Sequence, residues 1–295
     1  MDLITGQRVV ITGATSGIGK ATAFELARRG AELTIVCRNL EKGKTTAGEI
    51  EGAVPGVTVE VLLADLSELD QVRRVAAEIN ERYPAVDVLV NNAGVQDMRP
   101  RVTSDGFDHM LASNYLGPFL LTNLVLDQVK AAKAGRIVVV ASEASRNGGR
   151  IDPEAFEKFG SYARLRAMRA YGRTKLLDLL FALELARRLQ TTGVTSNALC
   201  PGLVATNLVE GQPVMGRADR MASLTPFLRR PDQGARMSVR LATDPSLAGV
   251  TGRFFTSTPG MRFLPSVRGS RDAGLQRRVW ERTSELVGLS QTAAV

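Results

Sequence analysis

Tyr171 and Lys175 stand four residues apart, a spacing that projects a phenol and an ammonium from one side of a helix toward one region. A free phenol titrates near pKa 10 and gives up its proton poorly at neutral pH. Lowering that value by about three units takes roughly 4 kcal/mol of preferential phenolate stabilisation, for which Lys175 supplies nearby positive charge. Tyr-x-x-x-Lys alone is a weak motif, and two other stretches give it meaning. Ser142 comes after the β-branched run Arg136 to Ala141, and its hydroxyl can donate to a substrate oxygen as negative charge grows there. In Thr12-Gly13-Ala14-Thr15-Ser16-Gly17-Ile18-Gly19, three glycines lie between the run Val9 to Thr12 and a helix-forming run that begins at Ile18. Without Cβ atoms the backbone can approach a pyrophosphate, and the helix start offers unpaired N–H groups and a positive dipole end. The three together suit proton transfer to an oxygen beside a bound dinucleotide. Tyr162 is the competing tyrosine, but Arg166 stands at its i+4 position and no leucine-rich helix comes after it.

The elements that must position these groups alternate strand and helix. Ala23, Leu26 and Ala27 repeat at helical spacing up to Gly30, a residue suited to a left-handed cap, and the next strand is Leu33 to Cys37. At the end of that strand an acidic residue would bind a ribose 2′-hydroxyl and an arginine a 2′-phosphate. Arg38, with Lys42 nearby, therefore favours NADP(H) over NAD(H), the other reading being a plain surface arginine. A third strand, Val57 to Leu63, ends at Ala64-Asp65-Leu66, and Ser67 caps a helix running to about Tyr83. Asp65 either reaches an adenine amino group or only caps. Val86 to Val90 leads into Asn91-Asn92-Ala93-Gly94. A long helix from Ser104 to about Lys133 carries Asn114 and is kinked at Pro118. Ser145 to Arg169 reads as an arginine-rich insertion with a turn at Asn147-Gly148-Gly149, after which Tyr171 opens a helix through Leu189. Strands over Val194 to Leu199 and Thr251 to Phe255, a helix over Pro231 to Thr243, and a basic tail docked by Trp280 complete the chain. The expected architecture is α/β, a doubly wound Rossmann fold with an about seven-stranded parallel sheet and helices on both faces. It is read as one domain over 1–295, with a core at 6–255, an apolar lid at 203–231 whose centre is Leu208 to Leu228, and an extension at 259–295.

Thr-Gly-x-x-x-Gly-Ile-Gly at 12–19, paired with Asn-Asn-Ala-Gly at 91–94, resembles the short-chain dehydrogenases/reductases. The resemblance spans roughly Gly6 to Phe255, and Cys37-Arg38-Asn39, Glu41-Lys42-Gly43 and the run from Glu184 to Leu189 look most like the retinol dehydrogenase-like branch. It implies a catalytic tetrad of Asn114, Ser142, Tyr171 and Lys175, with Asn114 holding a water that connects Lys175 to solvent. It implies cofactor contacts from Gly13, Thr15, Ser16, Gly17, Ile18, Gly19, Arg38, Asp65, Leu66, Asn92, Ala93 and Gly94, and from Tyr171 and Lys175 themselves. Pro201, Gly202, Val204 and Thr206 match the family's Pro-Gly-x-x-x-Thr segment, which holds the nicotinamide carboxamide. The activity implied is NADP(H)-dependent hydride transfer between nicotinamide and a carbonyl or alcohol, with a bulky lipophilic or aromatic ketone or aldehyde as substrate. The sequence departs from the family where substrate would sit, at 145–169 and 208–228, and the membrane anchor typical of retinol dehydrogenases is not expected of it. An NADP(H)-binding regulator without activity, or an epimerase or dehydratase, are the other readings of the same fold.

Composition bounds the rest. The 295 residues hold 44% hydrophobic and 23% charged residues, ordinary for a soluble globular chain, with disorder expected only at the tail. Cys37 and Cys200 are too few and too far apart for a disulfide framework, and one histidine excludes a multi-histidine metal site. His109 is expected on a helix, partly exposed. The net charge of +8 draws anions, but no aromatic ladder accompanies the arginine clusters, so nucleic acid is not an expected partner, nor is a membrane. The expected setting is cytoplasmic, with a small-molecule substrate and assembly as a homodimer or homotetramer.

Overall fold

Seven short runs dense in valine, isoleucine and leucine pair in register as parallel strands, a composition suited to a sheet buried on both faces. In chain order they are β1 (Arg8–Thr12), β2 (Glu32–Cys37), β3 (Val59–Leu63), β4 (Val88–Asn91), β5 (Arg136–Val140), β6 (Thr195–Cys200) and β7 (Phe254–Thr256). They lie in the order β3-β2-β1-β4-β5-β6-β7. The computed structural model describes residues 3–159, 164–204, 229–258 and 260–290. Helices cover both faces. Val10 of β1 belongs to the layer with α3 (Leu69–Arg82), α5 (Gly117–Leu124) and α7 (Arg164–Arg188). Its neighbours Val9 and Ile11 face the layer of α1 (Gly17–Arg28), α2 (Leu40–Ala53) and α8 (Pro231–Thr243). The chain winds outward from β1 to β3 and then returns to build β4 to β7 on the other side. The crevice between the carboxyl ends of β1 and β4 is therefore the topological switch point, where ligands bind in such sheets.

Strand ends fall within about three residues of the sequence expectation, and α8 keeps the bounds expected of it. Other elements differ. The long helix expected over Ser104 to Lys133 is broken into α4 (His109–Leu111), a π-turn (Ala112–Leu116), α5 and α6 (Leu126–Ala131). Pro118 has no N–H to offer the preceding turn, which widens just ahead of it. Ser67 does not cap α3. Glu68 holds the N-cap position, Leu69 N–H donates to Asp105, and the Ser67 hydroxyl donates to Asp65. α7 starts at Arg164 rather than at Tyr171, its buried stripe of Ala167, Ala170, Tyr171 and Thr174 too small-sided to stand out among the arginines.

His109 is buried, with Nδ1 2.7 Å from an Asp97 carboxylate oxygen and Arg101 beside it, so the partly exposed histidine expected from the sequence is corrected. The disorder expected at the tail is replaced, over the described residues, by α9 (Ala273–Leu286). This helix buries Trp280 between Phe119 and Phe181 at ring-centroid distances of 4.7 and 5.7 Å. Tyr162, Thr206 and the lid segment Leu208 to Leu228 lie outside the described residues. No helix among the described residues is long and apolar enough to cross a membrane.

Candidate active site

The segment after β4 holds the glycine turn in place. The Thr12 hydroxyl accepts from the N–H groups of Asn92 and Ala93, each at 3.0 Å, while Asn92 Nδ2 donates to the carbonyls of Thr12 and Gly13 at 2.9 and 3.1 Å. Gly13 adopts φ +68°, and a Cβ there would stand 2.7 Å from Ala93 Cα, so neither conformation nor space admits a side chain. Two sequence motifs far apart in the chain are thus one structural unit. Beside it opens a cavity of about 640 Å³, within the range of small-molecule and cofactor sites.

Gly13, Thr15, Ser16, Gly17, Ile18 and Gly19 form the wall of this cavity at the start of α1. Arg38, Asp65 and Leu66 line it beyond the ends of β2 and β3, and Asn92, Ala93 and Gly94 beyond β4. Pro201, Gly202 and Val204 close the side beyond β6. Asp65 has a structural task as well: one carboxylate oxygen accepts from the Ser67 N–H at 2.9 Å and the Ser67 hydroxyl at 2.7 Å. The residues fit an extended dinucleotide, with backbone N–H groups and a helix start at one end, Arg38 on the flank and an apolar floor.

At the far end of the same cavity stand Ser142, Tyr171 and Lys175. Ser142 caps a 3₁₀ turn (Glu143–Asn147), accepting from Ala144 N–H at 3.1 Å, and its hydroxyl neighbours the Tyr171 phenol, whose pKa it pulls down. The Lys175 ammonium donates to the Val140 carbonyl at 2.9 Å and to Asp178 at 2.8 Å, and lies 5.9 Å from the centre of the Tyr171 ring. Asn114, in the π-turn, lies behind the cavity wall. Its Oδ1 accepts from Val95 N–H at 2.7 Å and its Nδ2 donates to Val95 O at 2.9 Å and Thr174 Oγ1 at 3.0 Å. The amide thus clamps the segment after β4 onto α7.

A family model of short chain dehydrogenase matches residues 7–153. Retinol dehydrogenase 13 of Homo sapiens is 38% identical over 291 residues, which span 97% of this chain and 86% of the human protein. The chain is a short-chain dehydrogenase/reductase. Within the family it falls in the retinol dehydrogenase-like branch, with retinol dehydrogenase 12 of Mus musculus 37% identical over 97% of this chain and 88% of that protein. Among solved structures, one from Mycobacterium paratuberculosis superposes with a TM-score of 0.75 at 30% identity, covering 98% of this chain and 96% of its own. Another, described as an NAD(P)-dependent gluconate 5-dehydrogenase from Beutenbergia cavernae with NADP bound at low occupancy, gives 0.66 at 28% identity over 86% of this chain and 96% of its own. This short-chain dehydrogenase/reductase is a hydride-transfer oxidoreductase, and its cofactor is a nicotinamide dinucleotide.

The electrostatics of its phenol differ from the sequence expectation. Burial, the largest influence, pushes the Tyr171 phenol up with help from Asp178 and Cys200, and the pull of Lys175 and Ser142 in the other direction does not overcome it. The Lys175 ammonium stays above its ordinary value although burial works against it, since Asp178 and Tyr171 outweigh that penalty.

Three contributors to this short-chain dehydrogenase/reductase site escape sequence reading. Thr12 reads as the last residue of a strand, yet its hydroxyl organises the 91–94 segment. Cys200 enters the sequence reading only as a cysteine outside any disulfide framework, yet its sulfur accepts from the N–H groups of Glu143 and Gly202, linking the Ser142 turn to the segment after β6. Asp178 was signalled by one carboxylate in the run Leu176-Leu177-Asp178-Leu179-Leu180, three residues beyond Lys175.

Proposed function

We propose that the chain is an NADP(H)-dependent oxidoreductase that interconverts a carbonyl and an alcohol, working as a reductase on bulky lipophilic or aromatic ketones and aldehydes. The observation that carries this reading is the placement of the Tyr171 phenol, the Ser142 hydroxyl and the Lys175 ammonium in one cavity with the glycine turn and Arg38. Gly13 to Gly19 would hold the pyrophosphate, Arg38 a 2′-phosphate, and Pro201 to Val204 the nicotinamide end. When bound, the cofactor supplies the hydride.

The protein supplies placement and proton transfer. Ser142 and Tyr171 both donate to the carbonyl oxygen, and their hydrogen bonds strengthen as that oxygen gains negative charge, so they favour the transition state over the ground state. Tyr171 then gives its proton to the oxygen, and the resulting phenolate is countered by Lys175. The substrate end of the cavity supports a lipophilic partner. Met168 and Leu203 are 51% and 65% exposed, and with Met261 they give its mouth an apolar rim.

The test is a panel of hydrophobic ketones and aldehydes, retinal among them because relatives are named retinol dehydrogenases, each monitored by NADPH absorbance. Oxidation of NADPH by bulky members and little by small ones is expected. A chain that binds NADPH and turns over no carbonyl is a regulator instead.

A further inference from the structure

A carboxylate buried among leucines is expensive, since it must be taken out of water and then matched by a partner. Asp178 is 3% exposed, with Leu177 and Leu179 on either side of it wholly buried, and it pairs with the Lys175 ammonium, itself 4% exposed. Packing among leucines gives no reason for a charge at this position. Its geometry does. Two of the three Lys175 N–H bonds go to the Val140 carbonyl and to Asp178, which fixes the ammonium against β5.

We propose, resting on the reading of Tyr171 as proton donor, that Asp178 is a positioning residue that holds the Lys175 ammonium and sets how much of its positive charge the Tyr171 phenol feels. With Asp178 ionised, Lys175 and Asp178 are neutral as a unit, and Tyr171 faces a dipole rather than a lone cation. With Asp178 protonated, the cation is uncompensated and phenolate is favoured. Among the described residues, no other charge competes for this control. From β6 comes Cys200 and from the π-turn Tyr115, both pushed up by burial and hence neutral. The 3₁₀ turn brings Glu143, which is paired with Arg146 at 2.6 Å. From α9 comes Thr283, which hydrogen-bonds Tyr115 and carries no charge. Burial, which Lys175 only partly offsets, pushes the Asp178 carboxyl up to about 6, so its charge changes close to neutral pH.

The test replaces the charge and keeps the shape. In Asp178→Asn the amide oxygen still accepts from Lys175, and the titration of Tyr171, read as the tyrosinate absorbance that is lost when Tyr171→Phe is added, should move down by about one pH unit or more relative to wild type. In a Lys175→Met background the same change at Asp178 should shift the Tyr171 titration by clearly less, because only the direct repulsion between the carboxylate and the phenolate is then left. Asp178→Ser serves the same purpose if the asparagine variant does not fold. A Tyr171 titration that stays at the wild-type position in the uncharged variants, or a shift that is as large without Lys175 as with it, overturns the proposal. The titration needs neither substrate nor cofactor, so a protein that shifts as expected but reduces no carbonyl would refute the functional reading and leave this one standing. Where turnover is found, the pH profile of kcat/KM for alcohol oxidation should move in the same direction.

Discussion

Gly172 lies against Ala144 so closely that a Cβ on the glycine would collide with the alanine carbonyl oxygen, and the same Cβ would stand 3.3 Å from Gly148 N. The contact brings α7 and the turn after β5 together, and so brings the Tyr171 phenol to the Ser142 hydroxyl. Gly172→Ala should push them apart. Overpacking of this kind costs about 1–3 kcal/mol, and a displacement of about 1 Å at a reacting group costs on the order of 10²-fold in rate. The expected result is a large fall in kcat with NADPH affinity unchanged, measured by steady-state kinetics beside a fluorescence titration. Wild-type kcat in this variant would show that the contact is not what sets the distance.

Tyr171→Phe removes only the hydroxyl from a ring that is 8% exposed, so packing is kept. Loss of a general acid costs about 10²–10⁴-fold. Carbonyl reduction should fall by that order while NADPH still binds, since the glycine turn and Arg38 lie at the other end of the cavity. Retention of more than about a tenth of the activity would move the proton donor elsewhere.

The sheet was legible because parallel strands buried on both faces read as continuous apolar runs, with helices of clear period between most of them. Every cofactor residue expected from the motifs and lying among the described residues lines the cavity, since a glycine turn or a strand's carboxyl end is fixed by local sequence. What was not legible depends on partners distant in the chain. Asn114 reads as a polar residue on a helix, and only folding shows that Val95 and Thr174 occupy its amide. The acidity of Tyr171 could not be read from Lys175 alone, because Asp178 lies beside that lysine only once the helix has formed and been buried.

Arg38 is exposed at the end of β2 and lines the cavity, where a guanidinium can meet a phosphate through two parallel charge-assisted hydrogen bonds. NADPH should therefore bind at least about ten-fold tighter than NADH, which is about 1.4 kcal/mol. Arg38→Ala should erase most of that gap by weakening NADPH and leaving NADH almost unchanged. Calorimetry with each dinucleotide reads both values, and equal affinities in the wild type would remove the argument for a 2′-phosphate.

Trp280 ties α9 to the body of the protein. It is 2% exposed, packs on Phe119 and Phe181, and carries the Arg188 guanidinium 4.6 Å above its ring. Truncating a buried tryptophan to alanine costs about 3–5 kcal/mol, a large share of the stability of any domain. Trp280→Ala should lower the urea midpoint accordingly. Trp280→Phe should cost far less, because the indole Nε1 is buried with no hydrogen-bond partner among the described residues, and deleting an unsatisfied donor recovers about 1–3 kcal/mol against the lost ring area. If the two variants unfold at the same denaturant concentration, stability at this position comes from the indole itself rather than from an aromatic ring between α5 and α7.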